Sequence, residues 1–240
     1  HRLPAELVVA NPQHRRYTEA VWDLPENYLE PIATPGFHTT KIFREMSKGN
    51  MDFLWSAHNN WATSMTHLTR FLGKDPEYQG IFKTFVVVDE VYPTNSTRYA
   101  DVVLPAAMWV EREGQFGNGE RHATVFEKAV EPPGDAKWDL WILMEVAKRV
   151  LEGEKIGDAD AFDHLFGVWY DKEKADFTGT QREINRDIWE EYRTFSNPQL
   201  NERALAIDED TEGKFGAKLH MKGKQLAPYD AYIENHGMTW

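Results

Sequence analysis

Apolar residues in this chain are grouped in short runs that predict buried β-strands. Residues 85–88 read Phe-Val-Val-Val, an uninterrupted run rich in β-branched side chains. Such a run is typical of a strand that is covered on both faces of a parallel sheet. Residues 52–57 and 102–104 are read as two further buried strands. The pattern therefore predicts a sheet built around residues 85–88.

Other stretches carry apolar residues at helical spacing. This spacing predicts helices over residues 39–48, 65–72, 136–152, 159–170 and 181–195. The order of strands and helices indicates a parallel α/β arrangement with right-handed crossover connections. From residue 121 to 129 apolar and polar residues alternate, which predicts an edge strand or arm.

Two stretches show little periodicity. Residues 11–38 contain Pro25, Pro31 and Pro35, which predicts an extended or loop-rich connection. The tail after residue 198 is charged and interrupted by glycines. We therefore predict an α/β domain over residues 1–153 and a helical, irregular appendage over residues 154–240.

Composition excludes several classes of function. The 240 residues carry a formal net charge of −12 without a basic stripe, which argues against nucleic acid and anionic membrane surfaces as partners. No apolar run approaches the roughly 20 residues that a membrane-spanning helix needs, so no membrane insertion is expected. The absence of cysteine removes disulfides, thiolate nucleophiles and cysteine-ligated clusters from this chain. The nine histidines show no metal-ligand spacing, neither a pair at helical i, i+4 nor a group with carboxylates, so no metal ligand is predicted here.

Polar residues follow two of the predicted strands directly. Asp89 and Glu90 come after residues 85–88, and His58, Asn59 and Asn60 come after residues 52–57. In an open α/β sheet, ligands bind in the crevice outside the carboxyl ends of the strands. The sequence therefore predicts a binding site at this edge.

A nucleotide offers groups that such side chains can bind. Guanine presents two adjacent N–H donors, which match the two oxygens of a carboxylate. A ribose diol is likewise held by a carboxylate at a strand end, and phosphates prefer cations and backbone N–H groups. The residues that could supply these contacts are Asn59, Asp89, Glu90, Arg112 and Asp139.

Each candidate also has a reading without a ligand. Acidic residues after a strand are often a solvated turn, and Asn59 beside Asn60 fits loop chemistry. Asp139 in the first turn of a helix is favoured by the helix dipole alone. Arg112 stands between two glutamates and could form a surface ion pair.

The segments VYPT, ADVVLPAAMWVEREGQFGNGER and AVEPPGDAKWDLW carry a family resemblance. They resemble the molybdopterin guanine dinucleotide oxidoreductases of the DMSO reductase superfamily, and within these the catalytic subunits of periplasmic nitrate reductases. Formate dehydrogenases share the ADVVLP frame, whereas the combination of MWVEREG, FGNGER and KWDLW is closer to the periplasmic nitrate reductases. The resemblance covers nearly the whole chain and implies a Rossmann-like domain that binds a molybdopterin dinucleotide.

The resemblance assigns roles to the same five candidates. It implies that Asn59, Asp89, Glu90, Arg112 and Asp139 contact the molybdopterin guanine dinucleotide. The chain departs from the family pattern at His58, where a Thr is common, and at Asp89, where a Ser is common. It also has His122 where a second Arg is common.

The resemblance further implies that the chain is an internal piece of a larger enzyme and is not active alone. The whole enzyme would lie in the periplasm and reduce nitrate to nitrite at a molybdenum held by two molybdopterin guanine dinucleotides. Electrons would come through a [4Fe-4S] cluster, bound elsewhere in the polypeptide, from a dihaem cytochrome c partner. The alternatives are a formate dehydrogenase or another molybdopterin oxidoreductase, and a cofactor-free structural homologue such as the large subunit of respiratory complex I.

Overall fold

The computed structural model describes residues 2–74, 80–215 and 225–239, and its contacts divide the chain into two units. We call the first the sheet unit; it comprises Gly36–Glu111 and Val130–Ile142. We call the second the helical unit; it comprises His1–Pro35, Arg112–Ala129 and Leu143–Trp240. This division differs from the predicted boundary after residue 153.

The elements are named here in chain order. The α-helices are α1 (Pro12–Val21), α2 (Thr39–Ser47), α3 (Trp61–Ser64), α4 (Leu68–Phe71), α5 (Asp139–Val150), α6 (Ala161–Phe166), α7 (Gln181–Thr194), α8 (Glu202–Phe215) and α9 (Tyr229–Glu234). The strands are β1 (Phe53–Ala57), β2 (Phe85–Glu90), β3 (Val102–Pro105), β4 (Gly114–Gly117), β5 (His122–Phe126), β6 (Lys155–Ile156), β7 (Ala159–Asp160), β8 (Tyr170–Asp171), β9 (Asp176–Phe177) and β10 (Met238–Thr239).

The sheet unit contains the predicted parallel sheet. Its strands lie in the order β1-β2-β3, and both pairs are parallel. Strand β2 is longer than predicted, because Asp89 pairs with Leu104 and Glu90 with Pro105 in the ladder to β3. The two carboxylates are therefore the last residues of the strand and do not follow it.

One face of the sheet is covered by short helices. Val86 and Val88 point to this side and are 1% and 0% exposed. They belong to a core cluster to which α2 contributes Phe43 and Met46 and α3 contributes Trp61. The helix predicted over residues 65–72 is present as the shorter α4, and α3, which precedes it, was not predicted.

The helical unit contains helices that the sequence analysis missed. Residues 11–38 were predicted as a loop, but α1 begins at Pro12, and the Asn11 side chain accepts a hydrogen bond from the N–H of Gln13. Asparagine before the first turn and proline at its first position are both typical helix starts. The predicted irregular tail contains α8 and α9.

The strand predicted over residues 121–129 is present as β5, but the prediction that it is an edge strand is wrong, because it is the middle strand of the sheet β10-β5-β4. It pairs antiparallel with β4 on one side and with β10 on the other. Helix α7 contacts β4, and α9 contacts β5. These contacts explain why the segment Arg112–Ala129 belongs to the helical unit although it lies within the predicted α/β domain. Among the described residues, no helix has both the length and the apolar character that crossing a membrane requires.

Candidate functional site

The carboxyl ends of β1 and β2 lie side by side in the sheet unit. Ala57 of β1 is paired with Asp89 of β2, and the N–H of His58 donates to the carbonyl oxygen of Asp89 at 2.9 Å. His58 has a φ of +50°, in the left-handed region that only a few per cent of residues other than glycine adopt. The chain thus turns sharply at His58, directly after the strand.

Asp139 reaches the same edge through the connection that precedes α5. Lys137 donates its N–H to the carbonyl oxygen of Pro105 at 3.0 Å and accepts from the N–H of Ala107 at 2.8 Å. Ala106 and Lys137 thereby form a parallel β-bridge just beyond the end of β3. Because α5 begins at Asp139, this bridge delivers its first turn to the strand ends.

His58 joins the carboxylates of this edge. Its Nε2 lies 2.7 Å from Oδ1 of Asp139, which is a hydrogen bond, and its Nδ1 lies 3.8 Å from Oε1 of Glu90. One ligand atom each from His58, Asp89 and Asp139 lies within 4.8 Å of the others. Three of the five predicted site residues, Asp89, Glu90 and Asp139, are therefore brought together in the sheet unit.

These side chains differ in their access to solvent. Asp89 is 2% exposed, and the side chain of Glu90 is 9% exposed. The side chains of Asp139 and His58 are 24% and 37% exposed. A ligand that arrives from solvent meets His58 and Asp139 first, whereas Asp89 lies in the interior.

The two neighbouring asparagines have different surroundings. Asn59 is exposed, and its carbonyl oxygen accepts from the hydroxyl of Ser56 at 3.4 Å. The side chain of Asn60 accepts from both the N–H and the hydroxyl of Ser96, at 3.3 and 3.1 Å, and the same hydroxyl accepts from the N–H of Ala62. Asn60 therefore orders the loop, and Asn59 is the one available to a ligand.

Arg112 is not part of the sheet unit. It is the first residue of the segment Arg112–Ala129 in the helical unit, where its guanidinium lies over the ring of Phe126 at 5.3 Å from the centroid. A Cβ atom at Gly114 would lie 2.5 Å from Phe126 Cζ and 3.1 Å from Arg112 Nη1. The glycine is thus required for this stacked arrangement.

The glutamates on either side of Arg112 have structural contacts of their own. Glu111 accepts from the N–H of Met108 at 2.8 Å. Glu113 forms an ion pair at 2.8 Å with Arg182 of α7. Glu111 and Glu113 therefore stabilise the local structure on either side of Arg112.

Sequence reasoning missed the role of His58. The prediction that the histidines are not grouped with carboxylates is wrong for His58, which is hydrogen-bonded to Asp139. The two residues are 81 positions apart in sequence, so their spacing does not reveal the contact. The signal that could have identified it was its place directly after a predicted strand, beside Asn59 and level with Asp89. A histidine and carboxylates at this spacing can bind a hard cation, and they can equally accept hydrogen bonds from an uncharged ligand.

The chain is similar to a solved structure and to a family model. A solved structure, acetylene hydratase from Pelobacter acetylenicus, is similar to 79% of this chain at 18% sequence identity, with a TM-score of 0.40. The chain spans about a quarter, 25%, of the length of that protein. The family model for molybdopterin oxidoreductases matches residues 16–149, which is more than half of the 240 residues and includes all five predicted site residues. This chain therefore belongs to the molybdopterin oxidoreductase family.

Proposed function

We propose that the carboxylate edge of the sheet unit binds the guanosine end of a molybdopterin guanine dinucleotide. The observation that supports this most strongly is the convergence of Glu90 and Asp139 on His58 at the carboxyl end of a parallel sheet. This is where open α/β sheets bind nucleotides. Membership of the family implies a molybdopterin cofactor, and the guanine dinucleotide form is part of the proposal.

The charge of the edge favours a nucleoside over a phosphate. Three carboxylates, Asp89, Glu90 and Asp139, lie near one another around His58. Carboxylates accept hydrogen bonds, so they match the N–H edge of guanine or the hydroxyls of ribose. A phosphate at the same place would meet like charges at short distance. The proposal therefore assigns the phosphates to other groups, with Arg112 as a cationic candidate.

The exposed surfaces fit this assignment. Asp139 keeps 24% of its side-chain surface exposed, so a ligand can reach its carboxylate. Asn59, which follows His58 in sequence, is exposed. Its side-chain amide carries both donors and an acceptor, which suits the edge of a base. Glu90 is more enclosed, and its Oε1 accepts from the N–H of Val91 at 3.0 Å, which fixes its orientation.

The complete enzyme is proposed to be a periplasmic nitrate reductase. The bound molybdenum cofactor would supply two-electron redox chemistry with oxygen atom transfer, while the residues of this chain bind and orient the nucleotide. A [4Fe-4S] cluster bound elsewhere and a dihaem cytochrome c donor belong to the same proposal. Its support is the resemblance of MWVEREG, FGNGER and KWDLW to that group of enzymes.

The cofactor assignment is tested by variants of Asp139 and Glu90 in the complete enzyme. We expect Asp139→Asn and Glu90→Gln to lower both bound molybdenum and the guanosine monophosphate released on acid hydrolysis, by about tenfold each. Asp135→Asn, at an exposed position four residues before Asp139, is the matched control and should leave both values unchanged. Wild-type cofactor content in both site variants would refute the assignment.

The substrate assignment needs a separate measurement. The purified complete enzyme should reduce nitrate with a reduced viologen dye as electron donor and should not oxidise formate. The reverse result would favour the formate dehydrogenase alternative while leaving the cofactor assignment intact. A chain that retains neither molybdenum nor guanine nucleotide would instead support the cofactor-free homologue.

A further inference from the structure

The carboxylate edge of the sheet unit contains three side chains that can serve as ligands of one metal ion. His58, Asp89 and Asp139 each place one nitrogen or oxygen atom within 4.8 Å of the others. Two atoms that bind one zinc ion at about 2.1 Å lie roughly 3–4 Å apart. Small side-chain rotations are therefore enough to close these three ligands around an ion.

The backbone holds the three ligands in place. They come from the turn after β1, from the last but one position of β2 and from the first position of α5, and all belong to the sheet unit. The N–H of His58 donates to the carbonyl oxygen of Asp89 at 2.9 Å, and the bridge between Ala106 and Lys137 positions Asp139. Because hydrogen-bonded backbone fixes each ligand before an ion arrives, little ordering is needed on binding.

The second ring nitrogen of His58 supplies independent support. Carboxylates near one another are common without an ion, so Asp89 and Asp139 alone would indicate little. A histidine that binds a metal almost always donates its other ring N–H to a carboxylate, a carbonyl oxygen or water. Here Nε2 lies 2.7 Å from Oδ1 of Asp139, while Nδ1 lies 3.8 Å from Oε1 of Glu90, which a small rotation of the ring shortens to a hydrogen bond. That oxygen is itself held by the N–H of Val91 at 3.0 Å.

An ion at this place replaces the proton of the present hydrogen bond. A carboxylate accepts hydrogen bonds, so Nε2 of His58 is the donor to Asp139. An ion bound to Nε2 takes the place of this proton, and the neutral imidazole then carries its one proton on Nδ1, on the side of Glu90. Glu90 therefore stabilises the form of the imidazole that binds the ion.

The donor atoms select the class of ion. They are one imidazole nitrogen and two carboxylate oxygens, and the chain contains no cysteine. Magnesium and calcium prefer sites built from oxygen atoms with six or more ligands, whereas zinc binds imidazole and carboxylate together in four-coordinate sites. Three side chains leave the fourth position to water. Zinc also binds such ligands more tightly than manganese or ferrous iron does.

We propose that His58, Asp89 and Asp139 bind a divalent transition-metal ion of the zinc class in the cofactor-free protein, and that Glu90 orients the imidazole. The ion enters past His58 and Asp139, whose side chains are 37% and 24% exposed, and Asp89 closes the site from the interior. The ion site stands without the proposed function. Because Asp139 serves both ligands, the ion and the guanosine occupy the edge in turn, and this relation alone rests on the proposed function.

The test measures binding of Zn²⁺ by isothermal titration calorimetry to the full-length protein produced without molybdopterin. We expect His58→Gln and Asp139→Asn each to lose one bound zinc ion per chain, while zinc bound elsewhere in the polypeptide is common to all variants and cancels. His58→Gln keeps an N–H donor for Asp139, so its loss of zinc does not reflect loss of the fold. Glu90→Gln should weaken the site by about 10–100-fold. His67→Ala replaces an exposed histidine of the same unit with a φ of +59° and should bind zinc as the wild type does.

Several results would overturn the proposal. They are equal zinc binding by the wild type and both ligand variants, absence of zinc binding by the wild type, and displacement of the zinc by an equal concentration of Mg²⁺. Unchanged affinity of Glu90→Gln would overturn the role given to that glutamate.

The cofactor-loaded enzyme separates this proposal from the guanosine assignment. If Asp139→Asn abolishes zinc binding but leaves the guanosine monophosphate content at the wild-type value, the ion site stands and the guanosine assignment fails. If the wild type binds no zinc and Asp139→Asn lowers the guanosine monophosphate content, the guanosine assignment stands and the ion site fails.

Discussion

His58 and Asp139 are joined by a hydrogen bond of 2.7 Å between Nε2 and Oδ1, although 81 residues separate them in sequence. One stands at the sharp turn after β1, and the other is the first residue of α5. The bond therefore fixes the start of the helix against the strand ends at which the carboxylates gather. Glu90 lies on the other side of the same imidazole, 3.8 Å from its Nδ1.

Removal of the imidazole should therefore weaken the sheet unit. We expect His58→Ala to lower the free energy of unfolding by about 1 kcal/mol, because a partly exposed hydrogen bond to a carboxylate is lost and the two carboxylates lose the group between them. His58→Gln keeps an N–H donor and should recover most of this loss. Urea unfolding of the three proteins measures the difference, and equal stability of the Ala and Gln variants would contradict the role given to the hydrogen bond.

The sequence predicted the sheet well because its signals are local. The run at residues 85–88 identifies β2, and the polar residues at its end mark the carboxylate edge of the sheet. The end of the strand was placed too early, since only the pairing with β3 shows that Asp89 and Glu90 continue the ladder. Both carboxylates lie in the strand, but they occupy its last two positions, at the carboxyl edge of the sheet.

Other features depend on partners that are distant in sequence. The His58–Asp139 contact cannot be derived from spacing, because it needs the bridge between Ala106 and Lys137 that positions α5. Helix α1 was missed although Asn11 and Pro12 mark its start. Pro25, Pro31 and Pro35 predict a loop, and this prediction was extended over the whole of residues 11–38. The assignment of Arg112 to the helical unit likewise follows from the pairing of β4 with β5.

Gly114 is expected to be intolerant of a side chain. Its Cβ would approach Phe126 Cζ to 2.5 Å, so Gly114→Ala should cost about 1–3 kcal/mol of unfolding free energy through overpacking and should displace Arg112 from the ring. Gly119→Ala, in the loop of the same β4–β5 hairpin, meets nothing within 4 Å and is the control. Adding Phe126→Leu to Gly114→Ala should recover part of the loss, and failure to do so would argue against the steric explanation.

The start of α7 is held by a capping box. The hydroxyl of Thr180 accepts from the N–H of Glu183 at 3.3 Å, and Oε2 of Glu183 accepts from the N–H of Thr180 at 2.8 Å. Thr180→Ala should lower the free energy of unfolding by about 1 kcal/mol, while Thr180→Ser should retain the cap. Chemical denaturation compares the two variants, and a Ser variant as weak as the Ala variant would show that the threonine methyl group, and not the cap, matters.

Two buried tyrosines of the helical unit should respond oppositely to loss of their hydroxyl groups. Tyr17 donates its O–H to the carbonyl oxygen of Thr194 at 2.6 Å. The hydroxyl of Tyr229 is buried and has no hydrogen-bond partner in the part of the chain that the structure describes. We expect Tyr17→Phe to cost about 1–2 kcal/mol, because it leaves the Thr194 carbonyl unsatisfied, and Tyr229→Phe to leave stability at neutral pH unchanged or slightly higher.

The same pair predicts how stability falls at alkaline pH. Burial, reinforced by the charge of Asp208, raises the pKa of Tyr17, and burial together with Glu113 raises the pKa of Tyr229 to about 12. A raised pKa in the folded state means that the contribution to stability is complete below the unfolded tyrosine pKa of about 10 and is lost as pH rises from there toward the folded value. Each Phe variant should therefore lose less stability than the wild type between pH 10 and 12, measured by urea unfolding at fixed ionic strength. An identical pH dependence in the wild type and both variants would show that these hydroxyl groups do not limit alkaline stability.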